Sequence, residues 1–398
     1  MNWRIIRLYG LLLAGAFLVS CESESFDYAD LRIYDHPYAE VDWYTDVRLK
    51  AQHHDHFGAD SVGILAYDQA GYDVLSLMDY SGHPTAPYAL RHRLWPPSQF
   101  VEPWVSSSLQ NVRLFVPNAE EVGLALFHMT TPFLDQYIEA ASGTVPADAQ
   151  AAEYYRRTLN ASRYSTVDEA FELVRRFGGV PCLAHPRTIP YDHITGVFCT
   201  EIYTAFEEAS GGLTRGSLLP HWDAALARNQ KIWGIAVNDH FGPGRTHAGV
   251  RAEGMDSGKI VVLAHTADLE SYKDAFTRGA ILAVKDLGLV KDLVPDVYEI
   301  SVATDHVHIE TPGEVTWIAH GAVAAHGSTL YFSELRPGWR YVRAEIGSTN
   351  GSVVYTQAFS VRPRGDVDGD YDVDAADTEL CSQVAAGVLQ ARVYVEAC

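Results

Sequence analysis

The sequence predicts an α/β protein: a barrel of alternating strands and helices, followed by a smaller all-β module. Three observations predict it. Short apolar runs alternate with segments of helical spacing from about residue 47 to 290. Nearly every run ends in His, Asp, Glu or Asn, the pattern of a barrel that carries a site on the carboxyl ends of its strands. After about Lys291 the helical stripes stop, and strands separated by Gly, Pro, Asn and Ser turns take over.

Before the barrel, Arg4 and Arg7 precede an apolar run from Leu8 to Val19, too short and wrongly flanked for a membrane span. Leu18-Val19-Ser20-Cys21 resembles a bacterial lipobox, which implies cleavage before Cys21 and acylation of that residue. The expectation is an extracytoplasmic bacterial lipoprotein, in the periplasm, on the outer membrane or at the cell surface, anchored through Cys21. Residues 1–21 are the signal peptide and 22–46 a lead-in packed on the domain surface. In an exported chain Cys182 and Cys199, on successive strands, and Cys381 and Cys398, in the C-terminal segment, either bridge or stay free. With 51 Asp and Glu against 30 Lys and Arg, the net charge of −21 disfavours a nucleic-acid partner and suits divalent cations.

Within residues 47–290, a strand leads into His53-His54-Asp55-His56. His54 and His56 project to the same face of an extended chain, a spacing that places two imidazoles on one metal. Ser61 to Gly71 has helical spacing with Gly71 at its end, and Tyr72 to Asp79 is a buried-type strand. Val112 to Val116 leads into Pro117-Asn118-Ala119-Glu120-Glu121, and Leu124 to Phe127 into His128. Val167, Ala170, Phe171, Val174 and Phe177 form an amphipathic stripe behind a Thr166/Glu169 capping pair, closed by Gly178-Gly179. Val180 to Ala184 delivers His185-Pro186-Arg187, Val197 to Thr200 delivers Glu201, and Ile232 to Val237 delivers Asn238-Asp239-His240. Ile260 to Ala264, the helical Leu269 to Phe276, and Ala280 to Val284 complete the alternation.

In order and spacing these motifs resemble the PHP (polymerase and histidinol phosphatase) family of metal-dependent phosphoesterases, from about Arg48 to Asp286. The resemblance implies a distorted seven-stranded β/α barrel with two or three divalent transition metals, zinc, manganese or iron, on its strand ends. It implies that His54 and His56 hold the first metal, that Glu120 bridges to the second, and that His128 and His185 complete the second. Glu121 rivals Glu120 as the bridge. Asp60 falls one residue short of the family's carboxylate after the histidine pair, and Asp79 ends the second motif. His240 matches a third-metal histidine. Two positions depart from the family: Tyr80 stands where a histidine is usual, and Asn238 where an aspartate ligates the first metal. The implied chemistry is attack of metal-activated water on a small phosphate ester, with Glu120 and His185 in the centre and Arg187 as a phosphate clamp.

The segment 291–363 reads as a small β-sandwich laid against the barrel, and Tyr341 to Glu345 resembles the β-module of secreted members of the same family. In 364–398, Asp366, Asp368, Asp370, Asp372, Asp374 and Asp377 occupy positions 1, 3, 5, 7, 9 and 12 of a calcium loop. Tyr371 replaces the turn glycine, and a helix pattern follows the loop. This resembles one half of a dockerin, which implies bound calcium and a cohesin-like partner. Dockerins pair two such units, and a single one is present here. Three functions fit these motifs: a lipid-anchored metallo-phosphoesterase, a hydrolase of carboxylic or carbamate esters on the same fold, and a non-catalytic binding module whose metal site Asn238 and Tyr80 have weakened.

Overall fold

The computed structural model describes residues 30–34, 36–55, 60–79, 97–124, 127–135, 167–186, 197–205, 218–239, 246–247, 250–251, 257–287, 294–371 and 373–385. The lead-in contributes β1 (Leu31–Ile33). The site-bearing half runs β2 (Val47–Gln52), α1 (Ser61–Gln69), β3 (Val74–Asp79), α2 (Pro103–Ser106), β4 (Leu114–Leu124), β5 (Phe127–Pro132), α3 (Val167–Arg176), β6 (Cys182–Ala184) and β7 (Cys199–Thr204). It continues through α4 (Leu219–Leu226), β8 (Trp233–Val237), β9 (Thr246–His247), β10 (Val250–Arg251), β11 (Gly258–Ala264), α5 (Leu269–Arg278) and β12 (Ile281–Lys285). Then come β13 (Glu299–Val302), β14 (His306–Glu310), β15 (Glu314–Ala319), β16 (Ala322–His326), β17 (Thr329–Tyr331), β18 (Tyr341–Gly347), β19 (Val353–Tyr355), β20 (Phe359–Pro363) and α6 (Ala375–Ala385).

The expected stripes become buried faces. Phe171 and Val174 of α3 are buried against Leu183 of β6 and Trp222 of α4. In α5, Asp268 caps the start by accepting from the Ser271 amide at 2.9 Å, Gly279 ends the helix at φ 81°, and Tyr272, Ala275 and Phe276 face the core. No helix among the described residues is long and apolar enough to cross a membrane.

The principal sheet follows the order β1-β20-β18-β19-β12-β11-β2-β3-β4-β5-β6-β7-β8. It is mixed. β2–β3, β3–β4, β6–β7 and β7–β8 pair in parallel, while β4–β5, β5–β6 and β11–β2 are antiparallel. The row curls until its last strand meets β2 and β11 again, where the Asp239 amide donates to the His54 carbonyl at 2.8 Å. A Cβ on Gly258 would lie 1.9 Å from the Val237 carbonyl oxygen, so only glycine lets β11 approach β8 this closely. Cys182 and Cys199, facing each other across β6 and β7, are disulfide-bonded. Cys381 is also disulfide-bonded, with its partner outside the described residues.

The C-terminal strands are continuous with the first half. β19 pairs with the outer edge of β12, so the sheet runs on from one half into the other and the exposed edge is covered. A three-stranded sheet, β13-β14-β17, lies beside it. One apolar core includes Ile260 and Phe276 from the first half together with Trp317 and Phe359 from the second. The lead-in is fastened to both, since the Tyr38 hydroxyl donates to the Ile281 carbonyl and accepts from the Gln357 amide, each at 2.8 Å. The Gln357 side chain in turn pairs with both backbone groups of Gly234, at 2.7 and 2.8 Å.

A buried ion pair joins the halves as well. The Arg343 guanidinium of β18 forks onto both oxygens of Asp223 in α4 at 2.8 and 2.9 Å, and the Tyr341 hydroxyl donates to the same carboxylate at 2.8 Å. Arg343→Ala strands that buried carboxylate, with an expected loss of about 3–5 kcal/mol in urea unfolding. A chain ending after Leu287 exposes the β12 edge and half the core, and is expected in the insoluble fraction on expression.

Candidate metal centre

Where β2 ends, alternation sorts the histidines. His53 turns into the core, its ring stacked 4.8 Å from Phe276 and its Nε2 2.6 Å from the Tyr272 hydroxyl oxygen. Burial pushes its pKa down to about 3, so it is a neutral packing residue. His54 faces the opposite way, wholly buried, with Nδ1 2.5 Å from Glu201 Oε1 and Nε2 3.2 Å from Asp239 Oδ1. Burial pulls its pKa down, but the Asp239 and Glu201 carboxylates outweigh that and hold it up at about 9.

His185 joins them from the end of β6. Its ring stacks on His54 at 5.7 Å and its Nε2 lies 3.7 Å from Asp239 Oδ2. One donor atom from each of His54, His185 and Asp239 falls within 4.8 Å of the others. Both His185 (φ 29°) and Asp239 (φ 54°) occupy the left-handed region, which costs of order 1–3 kcal/mol in a non-glycine residue and concentrates at functional sites.

Glu201 organises the cluster. While Oε1 takes the His54 ring, Oε2 accepts from the His185 amide at 2.6 Å and from the Thr204 hydroxyl at 3.3 Å. A carboxylate on the far nitrogen of a ligating imidazole fixes its tautomer and raises its basicity. Nearby, the Tyr67 hydroxyl donates to the buried Asp55 carboxylate. Burial and Asp55 together raise the Tyr67 pKa well above the usual phenol range. Three buried carboxylates, Asp55, Glu201 and Asp239, act on His54. Two imidazoles and a carboxylate converging beside further buried carboxylates suit a divalent metal cation.

Asn238, expected as a first-metal ligand, is buried beside the cluster with both ends of its amide engaged. Its Oδ1 accepts from the Gly258 amide at 2.9 Å and its Nδ2 donates to the Tyr67 oxygen at 2.8 Å, so both ends of the amide serve the backbone seam and Tyr67. The left-handed turn at the next residue swings Asp239 inward instead. Asp60 is the N-cap residue of α1 and makes no capping bond through its side chain. Asp79 closes β3, and Glu120 and Glu121 lie in β4 where its register with β5 shifts between Ala119 and Val122. His128 of β5 is opposite Ala184, the residue before His185. The side chains of Asp79, Glu120, Glu121 and His128 lie outside the described residues, as do His56, Arg187 and His240 entirely.

Glu201 and Asp239 were visible as acidic residues at strand ends, Asp239 within the Asn238-Asp239-His240 motif, but neither was assigned a role at the metal. No family model matches the chain, and no curated protein does. A solved structure that matches is a two-domain protein from Bacteroides vulgatus containing a predicted PHP-like metal-dependent phosphoesterase. It is 13% identical, the match covers 83% of this chain and 98% of that one, and the TM-score is 0.40.

Asp239→Asn removes the charged donor and leaves the seam amides in place, so elemental analysis is expected to find the metal lost from a folded protein. Glu201→Gln is expected to weaken metal binding by about 10- to 100-fold in calorimetric titration. Because His54 must give up its proton to bind a metal, titration at pH 7 is expected to release protons, read as a buffer-dependent binding enthalpy.

Proposed function

We propose that the chain is a metal-dependent hydrolase, a phosphoesterase that acts on small phosphate mono- or diesters outside the cytoplasm. The observation that carries this is the convergence of His54, His185 and Asp239 amid buried carboxylate charge. A metal bound there supplies Lewis-acid polarisation of a phosphoryl oxygen and a water of lowered pKa. Glu201 holds the His54 ring so that Nε2 faces the cluster, and at the same time holds the backbone of His185. The Asp239 amide, bonded to the His54 carbonyl, keeps the third donor in register with the first. Arg187 follows His185-Pro186 and is assigned to the phosphate, and the motifs His56, Asp79, Glu120, His128 and His240 are assigned to further metal sites.

The weakened-site reading loses one of its two grounds, because Asp239 brings the negative charge that Asn238 lacks. The Cys182–Cys199 disulfide supports an oxidising compartment, in line with a lipoprotein anchored through Cys21. For the tail we propose one calcium, with Asp366, Asp368 and Asp370 drawn together within 4.8 Å.

The test is a panel of phosphate mono- and diesters against carboxylic and carbamate esters, with protein stripped of metal and reloaded with zinc, manganese or iron. Phosphate-ester turnover that returns with metal and falls about 100-fold or more in His185→Ala and Asp239→Asn is the expected result. Turnover of carboxylic or carbamate esters alone reassigns the bond, and no turnover with a full metal complement makes the chain a binding protein. Separately, calcium at about 100 times its Kd should add about 2.7 kcal/mol of stability. That gain should be lost in Asp368→Asn.

A further inference from the structure

Two strands that frame the donor cluster are joined by a covalent bond close to it. Cys182 opens β6, which delivers His185 three residues later, and Cys199 opens β7, which carries Glu201 two residues later. The two cysteines are register partners, wholly buried and disulfide-bonded. The ladder they belong to is short. β6 is three residues long, and its parallel pairing sets Cys182 against Cys199 and Leu183 against Thr200. On its other side β7 pairs with β8 from Cys199 to Thr204, but that register shifts between Glu201 and Tyr203.

The position of the bond matters because Glu201 serves two other strands at once. Its Oε2 accepts from the His185 amide, beyond β6, at 2.6 Å, and its Oε1 lies 2.5 Å from Nδ1 of His54, beyond β2. A slip of one residue moves β6 about 3.3 Å along β7 and sets opposite faces of the two strands side by side. The His185 amide then leaves the reach of the Glu201 carboxylate. Two ladder pairs resist such a slip weakly, whereas a covalent bond between Cys182 and Cys199 forbids it.

We propose that the Cys182–Cys199 disulfide is a positioning element of the metal centre: a chain folded with the bond closed binds metal more tightly than one folded with it open. The inference rests on reading His54, His185 and Asp239 as metal ligands. Closing the bond transfers two electrons and two protons from the thiol pair to a small disulfide, which leaves as two thiols. Both cysteines are wholly buried, so the bond is set as the chain folds and is not toggled afterwards by thiols in solution. Metal competence is thereby tied to the redox state of the compartment in which the chain folds.

The test is calorimetric zinc titration of full-length protein refolded from urea, either with a glutathione redox couple or with a phosphine reductant. Excess calcium occupies the acidic tail, and the binding step that Asp239→Asn removes is the one followed. Thiol counting assigns each state, gel filtration removes the reductant, and circular dichroism checks the fold. The reduced protein is expected to bind zinc about tenfold or more weakly than the oxidised one. Cys182→Ala/Cys199→Ala, which leaves Cys381 and its bridge untouched, should match the reduced protein. Opening the bond should add little to the loss already present in Glu201→Gln, because the bond acts through Glu201. Equal affinity in both states, losses that add in full to Glu201→Gln, or failure of both open forms to fold overturns the proposal. Zinc bound by neither state overturns the metal-centre reading as well, so the two failures are told apart.

Discussion

The structure depends on how the free edge of β8 is closed. A row of strands that curls back on itself must satisfy the backbone groups of its last strand, or leave them buried and unpaired. Among the described residues no regular ladder joins β8 to β2. Side-chain amides take its place. Gln52 Oε1 receives the His53, His54 and Asn238 amides at 3.0, 3.1 and 3.4 Å, and its Nε2 donates to the Gly258 carbonyl at 2.7 Å. Asn238 answers with Oδ1 on the Gly258 amide, and Gln357 performs the same service at the other end of the strand on Gly234. Because the seam is knotted by Gln52 and Asn238, the residues just beyond them, His54 and Asp239, are held at a fixed separation. The donor cluster is a by-product of sheet closure.

That dependence explains what was legible in the sequence. Strand ends were readable because alternation and apolar runs are local, and His54 and His185 stood at the ends of two of them. The choice between Asn238 and Asp239 was not readable. It turns on a left-handed backbone at Asp239, set by a hydrogen bond to a residue some 185 positions earlier. Glu201 carried only the weak signal of a carboxylate on a buried strand, since its role exists only once β6 and β7 lie side by side. β1 was hidden because it is three residues long and finds its partner in β20. β16, an alanine-rich run with no alternation, offered nothing to detect. The continuity of the C-terminal strands with β12 was equally hidden, because texture reports local pattern and says nothing of which edge a strand will cover.

Charge is partitioned rather than spread. Carboxylates crowd one end of β8 around His54, where they raise the imidazole and invite a cation. Cations crowd the other end around Trp233.

The acidic C-terminal loop has a similar inward commitment. Tyr371 takes a left-handed turn (φ 77°) where glycine would be easier, and its hydroxyl donates to Asn229 Oδ1 at 2.8 Å. Asn229 returns a bond to the Gly369 carbonyl at 3.2 Å. A loop bound this way is a clasp. Tension applied to the helix beyond it falls first on Tyr371 and Asn229, which shield β20, and with it β1, from being peeled off the sheet edge.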